Sequence, residues 1–147
     1  MRVKEQKTYA TTAGEIERRW FVVDAQGKTL GRLASKLVHY LTGKNKPIYS
    51  PNLDCGDFVI VINVDKIHVT GKRMDDKMYW RHSGYPGGIY GTKLKHLLAK
   101  HPARPLQLAV KRMLPKGALG HQIIGKLKLY AGSEHPHAAQ KPQVLEL

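Results

Sequence analysis

Asp57-Phe58-Val59-Ile60-Val61-Ile62-Asn63 (DFVIVIN) is the stretch that decides the fold. Between its polar ends every residue is apolar, and four of the five are β-branched. A strand wet on one face would alternate. Unbroken apolarity predicts a central strand covered on both faces, as in a parallel sheet. Upstream, Trp20 to Asp24 (WFVVD) has the same strand character and runs into the turn residues Gln26 and Gly27. Leu30, Leu33, Ala34, Leu37, Val38 and Leu41 then fall on one stripe of a helix, with Arg32, Lys36 and His39 off it. Thr29 is placed to cap that helix and Gly43 to stop it. Arg32 stands where a capping box would need Glu or Gln.

Working outward, Lys66 to Thr70 (KIHVT) alternates and predicts a further strand near the sheet edge. Leu94, Leu97 and Leu98 mark a short helix after Thr92. Leu106, Ala109, Val110 and Met113 mark another, entered through Pro105 and stopped before Pro115. Ile123, Ile124 and Leu127 continue the helical signal into a short strand around Leu127 to Ala131. Strands alternating with helices argue for a layered α/β domain. Its expected limits are residues 19 to 132, flanked by polar tails at 1 to 18 and 133 to 147 that order against a partner.

At 147 residues and 41% hydrophobic, the chain suits one domain with a real core. It carries 25 Lys+Arg against 11 Asp+Glu, a formal net charge of +14. A chain that repels itself this strongly works against a polyanion. The longest apolar run, Phe58 to Ile62, is too short to span a membrane, and the start is polar, so no membrane partner is expected. The lone Cys55 allows no intrachain disulfide, which suits a reducing cytoplasm. The charge is also unevenly placed. From Lys77 to Ser133 there are eleven Lys+Arg and no acid at all. An ordinary solvated face mixes both signs. A one-sign stretch is the footprint of nucleic-acid binding.

Enzyme chemistry finds no support in these residues. Gly27-Lys28-Thr29 looks like the end of a phosphate-binding loop, but Val22 stands where that motif needs its first Gly. Only Gly27 and Gly31 stand in the turn, where a dinucleotide fingerprint needs three glycines. The His-Pro-His at 135 to 137 has only Glu134 beside it at ligand spacing, so no metal is expected. Asp75 and Asp76 sit in a charged loop, where solvation is the default. Cys55 precedes a buried strand and reads as a packed thiol. No cofactor and no small-molecule substrate are expected.

RNA-binding features are richer. In Lys77 to Gly91 (KMYWRHSGYPGGIYG), Tyr79, Trp80, Tyr85 and Tyr90 interleave with Lys77, Arg81 and His82 among four glycines. Aromatic and Arg planes stack on unpaired bases, and glycines let backbone amides approach phosphates. The bland alternative is a turn whose aromatics cover the core. Lys44 and Lys46, past the first helix, and Lys72 and Arg73, after Gly71, are further basic clusters in turns.

Val110 to Gly132 reads VKRMLPKGALGHQIIGKLKLYAG, and this resembles the signature of the bacterial large-subunit ribosomal protein thirteen family. The similarity continues in ordered blocks: Val22-Val23-Asp24-Ala25 after Trp20, Lys28 to Ala34, Gly56 to Val59, Lys66-Ile67 with Val69 to Lys72, Ser83 to Gly88, and His135-Pro136-His137. The resemblance implies a three-layer α/β/α domain around a small, mainly parallel sheet, and a structural, non-catalytic role. It implies binding to large-subunit (23S) ribosomal RNA early in assembly, beside neighbouring large-subunit proteins. Some bacterial members also repress their own messenger RNA. Carried onto this chain, the RNA-facing residues are Lys44, Lys46, Lys72, Arg73, the run Arg81, His82, Ser83, Gly84, Tyr85, Gly87 and Gly88, and then Lys111, Arg112, Lys116, Gly117 and Gly120. Two rivals compete with this reading. One is a nucleotide-using α/β enzyme, suggested by the strand–Gly27–helix turn. The other is a free-standing regulator of messenger RNA or DNA.

Overall fold

A computed structural model describes residues 9 to 147. The DFVIVIN segment forms β2 (Phe58–Ile62), with β1 (Trp20–Asp24) parallel on one side, Val23 beside Val61. On the other side lies β5 (Leu127–Leu129), also parallel. Val59, Ile60 and Val61 are fully buried, so both faces of β2 are covered, as its unbroken apolarity requires. A fourth strand, β6 (Gln143–Val144), adds parallel to β1 and makes the order β5-β2-β1-β6.

The crossover from β1 to β2 is α1 (Leu30–Thr42), whose stripe buries Leu33, Ala34, Leu37 and Leu41. Thr29 stands at its N-cap, but its side chain makes no capping bond. Gly43 ends the helix in the left-handed region at φ 81. The Gly43 and Lys44 amides then bond back to the Tyr40 and His39 carbonyls, both at 3.1 Å. Between β2 and β5 come α2 (Arg73–Asp76), a hairpin of β3 (Met78–His82) and β4 (Ile89–Lys93), then α3 (Leu94–Lys100), α4 (Ala103–Met113) and α5 (Ala118–Ile124). Leu106 and Val110 of α4 join Val23, Val59, Val61 and the α1 leucines in one core cluster. The α/β domain with a mainly parallel sheet is therefore as expected.

Two local expectations are corrected, and one segment without an assigned element proves regular. Lys66 to Thr70 is not a strand. Asn63 takes a left-handed conformation at φ 55 and leads into a 3-10 turn over Val64–Lys66, leaving only an isolated parallel bridge between Thr29 and His68. Both flanks of β1 and of β2 are already paired, and the backbone here instead ties the start of α1, the Leu30 amide donating to the His68 carbonyl at 3.1 Å. The segment without an assigned element, Lys77 to Gly91, is mostly a regular antiparallel hairpin, with only residues 83 to 88 as its turn.

The second correction is that the stretch from 133 to 147 closes on the domain rather than trailing from it. Besides the pairing of β6, the Leu145 amide donates to the Val22 carbonyl at 2.8 Å, and Leu145 and Leu147 pack against the core. His137 lies 5.2 Å (ring centroids) from Trp20, which stacks on Phe58 at 4.3 Å. The Tyr130 hydroxyl meets His137 Nε2 at 2.8 Å. Part of the N-terminal segment is likewise tied down, Thr11 Oγ donating to the Ile48 carbonyl at 2.6 Å. Residues 1 to 8 of that expected tail lie outside the described residues.

Candidate nucleic-acid interface

The hairpin owes its exposure to its sequence. Tyr79 and Arg81 alternate with Met78, Trp80 and His82, and all of β4 is exposed. A two-stranded hairpin is marginal by itself. Here it packs against α2 and α3, and its register pairs Arg81 with Tyr90 and Tyr79 with Thr92. The Arg81 guanidinium lies over the Tyr90 ring at 5.7 Å, and Arg112, from the last turn of α4, lies over Tyr79 at 5.9 Å. Lys77 Nζ is 5.8 Å from the same Tyr79 ring. Burial raises the Tyr79 phenol above its ordinary value, and the charge of Arg112 opposes that shift.

Between the hairpin and the α3–α4 surface runs an open groove of about 460 Å³. Its cations are Arg81, Lys100, Arg104 and Arg112, with His96 and His101 beside them, and no carboxylate lines it. Among the described residues the ion pairs are Lys46–Asp57 and Lys126–Asp54, and none of the groove cations is neutralised by a carboxylate of those residues. A concentrated, unpaired positive field beside aromatic rings is what a polyanion with planar bases needs.

The expected RNA residues separate into distinct environments. Arg81 and Arg112 line the groove. His82, Ser83, Gly84, Tyr85 and Gly87 form the exposed hairpin tip, with Tyr85 76% exposed. That tip is internally braced: the Gly84 amide donates to His82 Nδ1 at 2.9 Å and the Ser83 amide to the Gly88 carbonyl at 2.8 Å. Gly88 is buried, and a Cβ there would come 2.0 Å from Ser83 Oγ, so this glycine serves turn closure. Lys111, Lys116, Gly117 and Gly120 border a small neighbouring cavity of about 130 Å³. Gly120 is packed so closely that a Cβ would sit 1.9 Å from the Pro115 carbonyl oxygen. Lys44, Lys72 and Arg73 are exposed, Arg73 lining a second cavity that shares Tyr79 with the groove.

Lys46 is different. Its ammonium donates to Asp57 Oδ1 and the Glu17 carbonyl at 2.6 Å and to the Cys55 carbonyl at 3.1 Å, with 15% of the side chain exposed. It ties the start of β2 to the segment before β1 and presents no free charge to a ligand. Lys126, inside the acid-free stretch, is equally internal: it pairs with Asp54 and donates to the Leu41 carbonyl at 3.1 Å. Sequence reasoning missed Lys100, Arg104, His96 and His101 as groove residues. The signal for His96 and Lys100 was their place off the Leu94 and Leu97 stripe of α3, and Arg104 belonged to the acid-free stretch, but nothing in the chain indicated that the hairpin would fold back beside them.

The model of the family described as ribosomal protein L13 matches residues 18–136. The chain belongs to that family. A large ribosomal subunit protein uL13 from Nitrosospira multiformis is 58% identical over 141 residues, 96% of this chain and 98% of its own. Those of Nitrosomonas eutropha and Aquifex aeolicus are each 59% identical over the same coverage. Membership of the L13 family makes this a structural protein of the ribosome, and so of the cytoplasm, and not an enzyme. Among the described residues no helix is long and apolar enough to cross a membrane.

Proposed function

We propose that this chain is a constituent of the large ribosomal subunit that binds large-subunit ribosomal RNA and stabilises its fold from early in assembly. The α/β core is the rigid scaffold. The contact surface is the groove between hairpin and α3–α4, extended by the hairpin tip, by Lys111 in the last turn of α4 and by the loop over residues 114 to 117. The observation that carries this reading is the cluster of Arg81, Lys100, Arg104 and Arg112, which has no carboxylate partner among the described residues. Such cations contact phosphates and fix orientation, while RNA shape supplies most of the selectivity. Arg73, which shares a cavity with Tyr79, and its neighbour Lys72 widen the field around this surface, and Lys44, past the other end of α1, adds a separate basic position. Lys46 drops out of it, its ammonium being engaged by Asp57. Neighbouring large-subunit proteins complete the surroundings, and repression of the chain's own messenger would draw on the same surface.

Charge reversal tests the reading. Lys111→Glu with Arg112→Glu is expected to lower affinity for a large-subunit ribosomal RNA fragment by at least a hundredfold with an unchanged circular dichroism spectrum. Each lost phosphate contact removes a released counterion, and each new Glu adds repulsion. Undiminished affinity would remove the end of α4 from the interface.

A further inference from the structure

The groove differs from a simple basic patch in having an aromatic wall. Tyr90 is 55% exposed although it stands in a strand opposite Arg81. Tyr79, by contrast, is approached by both Lys77 and Arg112 and is half-buried. One ring is thus engaged as part of the wall and the other presents surface to whatever enters. Arg81 lies over that second ring with no carboxylate among the described residues to hold it, so its guanidinium plane is equally available for stacking. The hydroxyl of Thr92 and the imidazole of His96 line the same space and can hydrogen-bond to a base edge. At about 460 Å³ the groove has the size that encloses a small molecule, within roughly 300–1000 Å³. A duplex, whose bases are stacked inside it, meets only the rim with its phosphates.

We propose that the groove takes a single unpaired nucleotide of the bound RNA, its base stacked on Tyr90 and Arg81 and its phosphates toward Arg104 and Arg112. This rests on the ribosomal RNA reading above and narrows it from charge and shape to one stacking subsite. Stacking is carried by the π face and needs neither the phenol oxygen nor a particular base. Loss of one stacked base corresponds to about a five- to hundredfold loss of affinity, without loss of a phosphate contact.

The test uses the full chain and its large-subunit ribosomal RNA fragment. Tyr90→Leu keeps an apolar side chain but has no π face, and Tyr90→Phe keeps the ring. The expected result is that Leu weakens binding about tenfold or more while the salt slope stays at the wild-type value, and that Phe binds within about twofold of wild type. Ultraviolet irradiation of the wild-type complex should then give a nucleotide cross-link at Tyr90. Wild-type affinity in Tyr90→Leu overturns the subsite and leaves the RNA reading standing. Equal losses in Leu and Phe also overturn it, because the hydroxyl rather than the ring would then matter. Failure of the wild-type protein to bind the RNA overturns both. If Tyr90→Leu does not fold, the cross-link decides: its presence at Tyr90 supports the subsite and its absence contradicts it.

Discussion

Lys126 and Arg112 stand in the same acid-free stretch and do opposite things. Arg112 projects from the last turn of α4 into the groove, while Lys126 is 5% exposed, its ammonium held by Asp54 and the Leu41 carbonyl. Gly56 permits this closeness, since a Cβ there would lie 1.7 Å from the Leu41 carbonyl oxygen and 2.8 Å from Lys126 Nζ. Burial lowers the Lys126 ammonium below its ordinary value, and the hydrogen bond and charge of Asp54 oppose that shift. Lys126→Met should therefore cost about 3 kcal/mol of stability, because it leaves Asp54 without its cation, while RNA affinity stays within about twofold. The folded protein releases this proton before the unfolded chain does. Wild type should thus gain stability relative to Lys126→Met as pH rises from the folded value toward the ordinary lysine range. Denaturant unfolding at several pH values measures both effects, and equal stability of the two proteins would contradict them. None of this was legible in the sequence. Lys46 and Lys126 look like their surface neighbours, and only the fold brings Asp57 and Asp54 to them from eleven and 72 residues away.

At the scale of elements, strong periodicity was readable and weak pairing was not. Unbroken apolar character marked β2, and the 3.6-residue stripe marked α1 together with its Gly43 stop, because both signals come from burial on defined faces. Lys66 to Thr70 alternates like a strand yet has no free edge beside β1 or β2 to pair with. The hairpin was hidden for the opposite reason: with every residue of β4 exposed, no hydrophobic pattern announced it. Composition likewise marked residues 133 to 147 as a tail, although β6 pairs with β1 and Leu145 and Leu147 meet the core. Deleting residues 141 to 147 should consequently lower stability by about 2 kcal/mol, from two partly buried leucines and the β6 pairing, and the melting temperature by roughly 6 °C. A melting curve superimposable on that of the full chain would show that this segment is a tail after all.

For the whole molecule, the charge asymmetry was the most informative part of the sequence, and its spatial form was the least. A +14 chain with an acid-free stretch announces a polyanion partner from composition alone. Which of those cations share a surface depends on the hairpin folding back beside α3 and α4. Lys100 and Arg104 therefore join Arg81 and Arg112, and Lys46 and Lys126 leave the set. The central claim is that unpaired cations around this groove hold ribosomal RNA through its phosphates. Its most direct test is the affinity for a large-subunit ribosomal RNA fragment as a function of salt, for wild type and for Arg104→Gln with Arg112→Gln. Affinity should fall by about a thousandfold or more between 50 and 200 mM salt, with a shallower slope in the double variant by about one to two contacts. Salt-insensitive binding, or an identical slope after both arginines are removed, would contradict it.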